Sequence, residues 1–228
     1  MAENPQIKTK TLILDAAERL FAEQGIGHTS LRQVIAEAKV NIAAVHYHFG
    51  SKEQLIYAVL ERRIIPINEE RFKMLDAIEA AAGEGPLPLE PIIEAFIRPP
   101  FRLRSNPAAN HGSFVRVMGR CMNEPNETVQ AAFGRLFGEV IKRFMAAYLR
   151  ALPELPPEEI MWRAHFGAGT MAHAMCGGEM LKKVSQGRLD IGNGEAVLQR
   201  LVAFIAAGMR APMLGADEPV KTKEGKKA

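Results

Sequence analysis

Asn41, His46, Tyr47, His48 and Lys52 fall within one short stretch, NIAAVHYHFGSK. Their amide, imidazole, phenol and ammonium groups donate and accept hydrogen bonds, the contacts by which proteins touch base edges and phosphate oxygens. A helix from 42 to about 49 with Val40, Val45 and Phe49 turned inward leaves Asn41, Ala43, Ala44, His46, Tyr47 and His48 outside, and the two alanines permit close approach. An isolated aromatic–histidine pair is an ordinary packing feature. Here Ser30, Asn41 and Ser51 each suit an N-cap, so three successive helix N-termini offer free N–H groups and positive dipole ends to phosphates. Arg32 and Lys52 lie in the first turns of two of those helices.

The elements that position this face are legible from spacing. Ile13, Ala16, Ala17, Leu20 and Phe21 recur on one helix face and predict a first helix over 7–24. Gly25 then suits a left-handed cap, with Ile26 closing back onto Phe21. Ser30-Leu31-Arg32-Gln33 fits a capping box and opens a second helix burying Leu31, Val34, Ile35 and Ala38. Ala38-Lys39-Val40 forms the turn into the third helix, which Gly50 ends. Ser51-Lys52-Glu53-Gln54 is a further capping box, starting a fourth helix whose apolar face begins with Leu55, Ile56, Val59 and Leu60. Pro66 predicts a kink or break in it and a domain linker there.

Further along, residues 83–91 form a Gly/Pro loop, and a helix from Pro91 is expected to stop before Pro99-Pro100, with 99–110 a second loop. Helices are predicted at 111–123, 126–151, 157–184 and 194–210. The Lys/Glu-rich stretch from Leu214 to Ala228 is expected to be disordered. No strand-period alternation occurs, so the fold class is all-α: a helix-turn-helix three-helix domain over 1–63, then a larger helical domain over 64–213.

Composition excludes several classes. Apolar residues at 47% and charged residues at 24% fit an ordinary globular chain, and no stretch has the roughly 20 apolar residues needed to span a bilayer. The N-terminus lacks a signal-peptide pattern, so the chain reads as cytoplasmic, with no membrane partner. A net charge of +3, with eight Lys and Arg against seven acids in residues 1–63, means that any nucleic-acid binding depends on where charges sit. Cys121 and Cys176 have no ligand-spaced partners and read as buried apolar fillers. His111, His165 and His173 lack metal-ligand spacing, and neither a phosphate-cradling glycine loop nor a nucleophile elbow is present. The expectation is therefore no enzyme, no metal and no cofactor. A lipid-binding protein with a vestigial helix-turn-helix is the remaining rival, although it would have lost Tyr47, His48 and Lys52.

The segment TSLRQVIAEAKVNIAAVHYHFGSKEQL resembles the DNA-binding signature of the TetR family of bacterial repressors, over residues 7 to about 63. That resemblance implies a homodimer whose third helix reads the major groove of double-stranded operator DNA and whose C-terminal domain binds a small effector. By position it implies DNA contacts at Ser30, Arg32, Asn41, Ala43, Ala44, His46, Tyr47, His48 and Lys52. Two positions depart from the family pattern: Lys39 stands where glycine is usual, at a cost of about 1–2 kcal/mol if left-handed, and Ile42 stands where many members are polar.

FVRVMGR (114–120), FGEVIKRFMAAYL (137–149), WRAHFGAG (162–169) and FIAAGMRA (204–211) resemble the PsrA-like branch, which implies a long-chain fatty acid or acyl-CoA as effector. Phe96, Phe101, Phe114, Met118, Phe137, Trp162 and Phe166 supply apolar surface for such a pocket, and Arg116, Arg163 and His165 could receive a carboxylate or phosphate. Gly167-Ala168-Gly169, Ala172, Ala174 and Gly177-Gly178, with the stripe Val197, Leu198, Leu201, Val202, Ile205 and Met209, predict pairing of the last two long helices with a second copy.

Overall fold

A computed structural model describes residues 5–104, 111–123 and 126–213, and these form ten α-helices with no strand among them. They are α1 (Pro5–Gln24), α2 (Leu31–Ala38), α3 (Ile42–Phe49), α4 (Lys52–Ala82), α5 (Leu89–Arg104), α6 (His111–Asn123), α7 (Glu127–Ala151), α8 (Pro157–Cys176), α9 (Gly178–Val184) and α10 (Gly194–Met209). The stretch expected to be a disordered tail, 214–228, lies outside the described residues.

Local chemistry sets the first three helices. Gly25 turns left-handed at φ +90° as expected, and Ile26 and Phe21 are both buried behind it. The apolar stripes of α1 to α3 converge with Leu55, Ile56, Val59, Leu60 and Ile64 of α4 in one core. Phe114, Val117 and Cys121 of α6 and Val129, Ala132 and Leu136 of α7 enter the same core. A second core gathers Leu75 of α4, Ile92, Ile93 and Ile97 of α5, Phe144 and Tyr148 of α7, Ile160 of α8 and the buried face of α10. The helix α4 therefore serves both.

Three expectations are corrected. First, α4 runs through Pro66 as one helix of 31 residues; the proline side chain is exposed, so water can take the carbonyl it leaves without a partner. Second, α5 passes Pro99 and Pro100 and ends only at Arg104. Pro100 removes the N–H that would serve the carbonyl of Phe96, and Arg71 Nε supplies the missing donor from α4 at 2.9 Å. Third, the single helix expected over 157–184 divides at Gly177, the paired glycines giving weak helix propensity where α9 buries little.

Ion pairs lock α10 against α5. Arg98 Nη2 donates to Glu195 at 2.8 Å, and Arg210 Nη2 donates to Glu90 at 2.8 Å. These hydrogen bonds hold both carboxyls at about 2, below the ordinary 4.5. Because the folded values are depressed, the stabilisation is complete above 4.5 and is lost as pH falls towards about 2. In a pH series of melting curves, a Glu90→Gln/Glu195→Gln variant should trail the parent by a constant gap near neutrality. That gap should close between about 4.5 and about 2; a gap unchanged through this range would contradict the lock.

Candidate nucleic-acid interface

The exposed unit is built by caps. Ser30 Oγ accepts from the Gln33 N–H at 3.3 Å while Gln33 Oε1 accepts from the Ser30 N–H at 2.7 Å, closing the expected capping box. Lys39 is left-handed at φ 53° and ψ 43°, and the Val40 N–H reaches back to the Ile35 carbonyl at 3.3 Å to close the end of α2. Asn41 Oδ1 then accepts from the Ala44 N–H at 2.8 Å and opens α3. Ser51 Oγ accepts from the Gln54 N–H at 3.3 Å and opens α4. His46 Nδ1 lies 3.2 Å from the Gly50 carbonyl, which fixes the proton on Nδ1 when that bond forms.

Val45 and Phe49 anchor α3 in the core, so its other face is turned out. Tyr47 is 73% exposed, and Asn41, Ala43 and His46 are exposed beside it. Ala44 and His48 are half-buried, with the His48 ring edge-on to Tyr47 at 5.1 Å. Ser30 and Arg32 are exposed at the start of α2. Lys52 is half-buried and makes a long contact to the Gly27 carbonyl at 3.4 Å, leaving most of its donor capacity uncommitted. Ile42, 58% exposed at the first position of α3, belongs to this surface and was missing from the predicted contacts.

The unit is held by polar ties to α1 and α4. Gln33 Nε2 donates to Gln24 at 3.0 Å, and Arg19 pairs with Glu37, joining α2 to α1. Glu18, only 3% exposed at its side chain, accepts from Arg62 at 2.6 Å and Arg63 at 2.9 Å. Arg120 of α6 donates to the carbonyls of Ala22 at 3.1 Å and Glu23 at 3.0 Å, which the last turn of α1 leaves without helical partners.

The residues expected to line an effector pocket occupy three places. Phe96 and Phe101 belong to the second core, with Phe96 edge-on to Phe144 at 5.3 Å. Phe114, Met118 and Phe137 pack in or against the first core. Trp162, His165 and Phe166 lie exposed on α8, where Trp162 stacks on Phe166 at 5.7 Å. Arg116 is exposed and bonds Ser113, whereas Arg163 is buried, paired with Glu159 and donating to the Met209 carbonyl at 2.6 Å. The stripe expected to meet a second copy is corrected: Leu198, Leu201, Val202, Ile205 and Met209 are consumed by the protomer's own second core. Cys121 is buried as expected, but Cys176 is exposed. Among the described residues no cluster of His, Cys, Asp or Glu could hold a metal, and no helix is long and apolar enough to cross a membrane.

Comparison with known proteins decides the family. The profile described as "Bacterial regulatory proteins, tetR family" matches residues 13–59, which hold α2 and α3, and that described as "Tetracyclin repressor-like, C-terminal domain" matches residues 94–208. The chain belongs to the TetR family. Within it, the HTH-type transcriptional repressor Rv3405c of Mycobacterium tuberculosis is 53% identical over 49 residues, 22% of this chain and 26% of that protein. The chain thus spans about a quarter of the length of these curated relatives. Among solved TetR-like folds, a SmeT–triclosan complex aligns at TM-score 0.59 and 20% identity, covering 93% of this chain and 99% of that one. The fatty acid degradation regulator FadR from Bacillus halodurans aligns at TM-score 0.56 and 15% identity, covering 93% and 100%.

The caps make a direct test of the geometry. Asn41→Ala should lower unfolding free energy by about 1 kcal/mol, and Lys39→Gly should raise it by a similar amount by removing left-handed strain. Denaturant melts with unchanged slope would report both; a Lys39→Gly variant less stable than the parent would contradict the turn geometry.

Proposed function

We propose that the chain is a homodimeric transcriptional repressor that reads double-stranded operator DNA with α3 and is released by a small apolar effector. The observation that carries this reading is the outward face of α3, with Tyr47 and His46 exposed on the middle one of three successive helices with capped N-termini. On this reading residues 1–63 form the DNA-binding unit, and 64–213 form the effector and dimer unit. Ser30, Arg32 and Lys52 contact phosphates, and Asn41, Ala43, Ala44, His46, Tyr47 and His48 approach the groove. None of these groups is arranged to perform catalysis.

A second copy is expected on the outer faces of α8 and α10, where Met161, Trp162, Phe166 and Phe204 are 60% or more exposed. Packing the two helices against their symmetry mates gives a four-helix isologous interface. For the effector we infer a long-chain fatty acid or its CoA ester, on the strength of the PsrA-like resemblance and the aromatic side chains Phe96, Phe101 and Phe137. Burial of a twelve-carbon tail at about 0.8 kcal/mol per methylene supplies roughly 9 kcal/mol before ordering costs. Release requires the effector to prefer a conformer whose two α3 helices are wrongly spaced. A preference of about 3 kcal/mol weakens DNA binding about 150-fold.

Gel shifts on the DNA upstream of its own coding sequence test this. Tyr47→Ala should weaken specific binding by about 1–3 kcal/mol with an unchanged melting temperature, and Lys52→Ala should lower the salt slope by about one. Unaltered affinity in the first and an unaltered slope in the second would contradict the assigned roles. In sedimentation, Trp162→Glu/Phe204→Glu should shift the protein to monomer; a dimer that persists would place the interface elsewhere.

A further inference from the structure

Arg71 lies on the buried side of α4, only 2% exposed, and no carboxylate pairs with it among the described residues. Its Nε donates to the Phe96 carbonyl at 2.9 Å and its Nη1 to Asn68 Oδ1 at 3.0 Å. The guanidinium stands 4.2 Å above the Phe96 ring and 5.8 Å from the Phe137 ring. Asn68 in turn donates to the Leu136 carbonyl at 2.8 Å, which fixes the pair between α4 and α7. Pro100 accounts for the Nε contact, because the Phe96 carbonyl needs a donor. It does not account for a charge, since one neutral donor would serve the same carbonyl.

Several other arginines of the helical body meet carboxylates, whereas Arg150, only half-buried, donates to the Gly83 and Gly85 carbonyls. Arg143 meets Asp76 and Glu79, Arg98 meets Glu94 and Glu195, and Arg163 meets Glu159. Arg71 has two neutral oxygens and two ring faces, and its Nη2 has no partner among the described residues. Burial lowers its pKa to about 10, so it remains a cation at neutral pH. The buried Tyr148 phenol of α7 stands near enough for the Arg71 charge to act on it, and burial keeps it protonated as a neutral donor. A buried guanidinium without an anion is costly, and its planar fork is matched by a carboxylate.

We propose that Arg71 is the anchor for the carboxylate of an apolar acid bound within the helical body, the acid's hydrocarbon lying against Phe96 and Phe137. The proposal rests on the apolar-effector reading and narrows it to the free acid, because a thioester carbonyl carries no charge to neutralise Arg71. An effector held there touches α4, α5 and α7 together, on the same helix that enters the DNA-binding core.

Calorimetric titration of the full chain without DNA tests this, using straight-chain carboxylates from octanoate to hexadecanoate and the methyl ester of each. The parent should bind the acid about tenfold or more tightly than its ester, as a lost charge-assisted hydrogen bond implies. Arg71→Gln should bring acid and ester within about threefold of each other, and Arg71→Lys should keep part of the preference. A general packing defect would weaken both ligands alike and leave their ratio unchanged. Equal binding of acid and ester by the parent, which needs no variant, would overturn the anchor while leaving an apolar effector standing. So would an acid preference that survives Arg71→Gln. Binding of none of the acids would overturn the carboxylate class, while the gel shift would still judge the repressor reading independently.

Discussion

A single helix belongs to two hydrophobic cores, and neither core can repack along it without the other being affected. The first half of α4 buries Leu55, Ile56, Val59, Leu60 and Ile64 beside the capped helices, and its second half buries Leu75 among α5, α7 and α10. At 1.5 Å per residue its 31 residues extend about 46 Å. Glu18 clamps the near end to α1 through Arg62 and Arg63. Asn68 and Arg71 tie the middle to α7 and α5. Because close-packed interiors switch between discrete arrangements rather than deform smoothly, a repacking at the middle of α4 has to be accommodated along the helix.

A second connection runs beside it. Arg120 holds the last turn of α1 from α6, and Phe114 and Val117 of α6 sit in the first core. The capped unit thus rests on two supports: α4, which runs on from it into the second core, and α6, which packs into the first. A unit mounted in this way has its orientation set by packing far from its own surface.

The sequence made the first sixty residues legible because their structure is decided locally. Ser30, Asn41 and Ser51 satisfy backbone groups three residues away, and Gly25 takes the left-handed turn expected of it. The exposure of Tyr47 followed from the burial of Val45 and Phe49 one turn apart. Helix continuity at Pro100 was not legible, since the donor that permits it, Arg71, lies 29 residues earlier on another helix. The apolar body misled for a related reason: hydrophobicity marks Trp162 and Leu201 alike, but one faces outward and the other is enclosed by its own protomer. Arg71 continues the buried face Ile64, Ile67 and Asn68, where a cation stands out from the apolar pattern.

The central claim, that two copies present their α3 helices to one face of a duplex, is tested most directly by hydroxyl-radical footprinting of the full chain on the DNA upstream of its own coding sequence. Two symmetric protected segments are predicted, centred on major grooves about 34–36 Å apart, roughly one helical turn or a whole multiple of it. A single protected segment, or protection without sequence preference, would contradict the account.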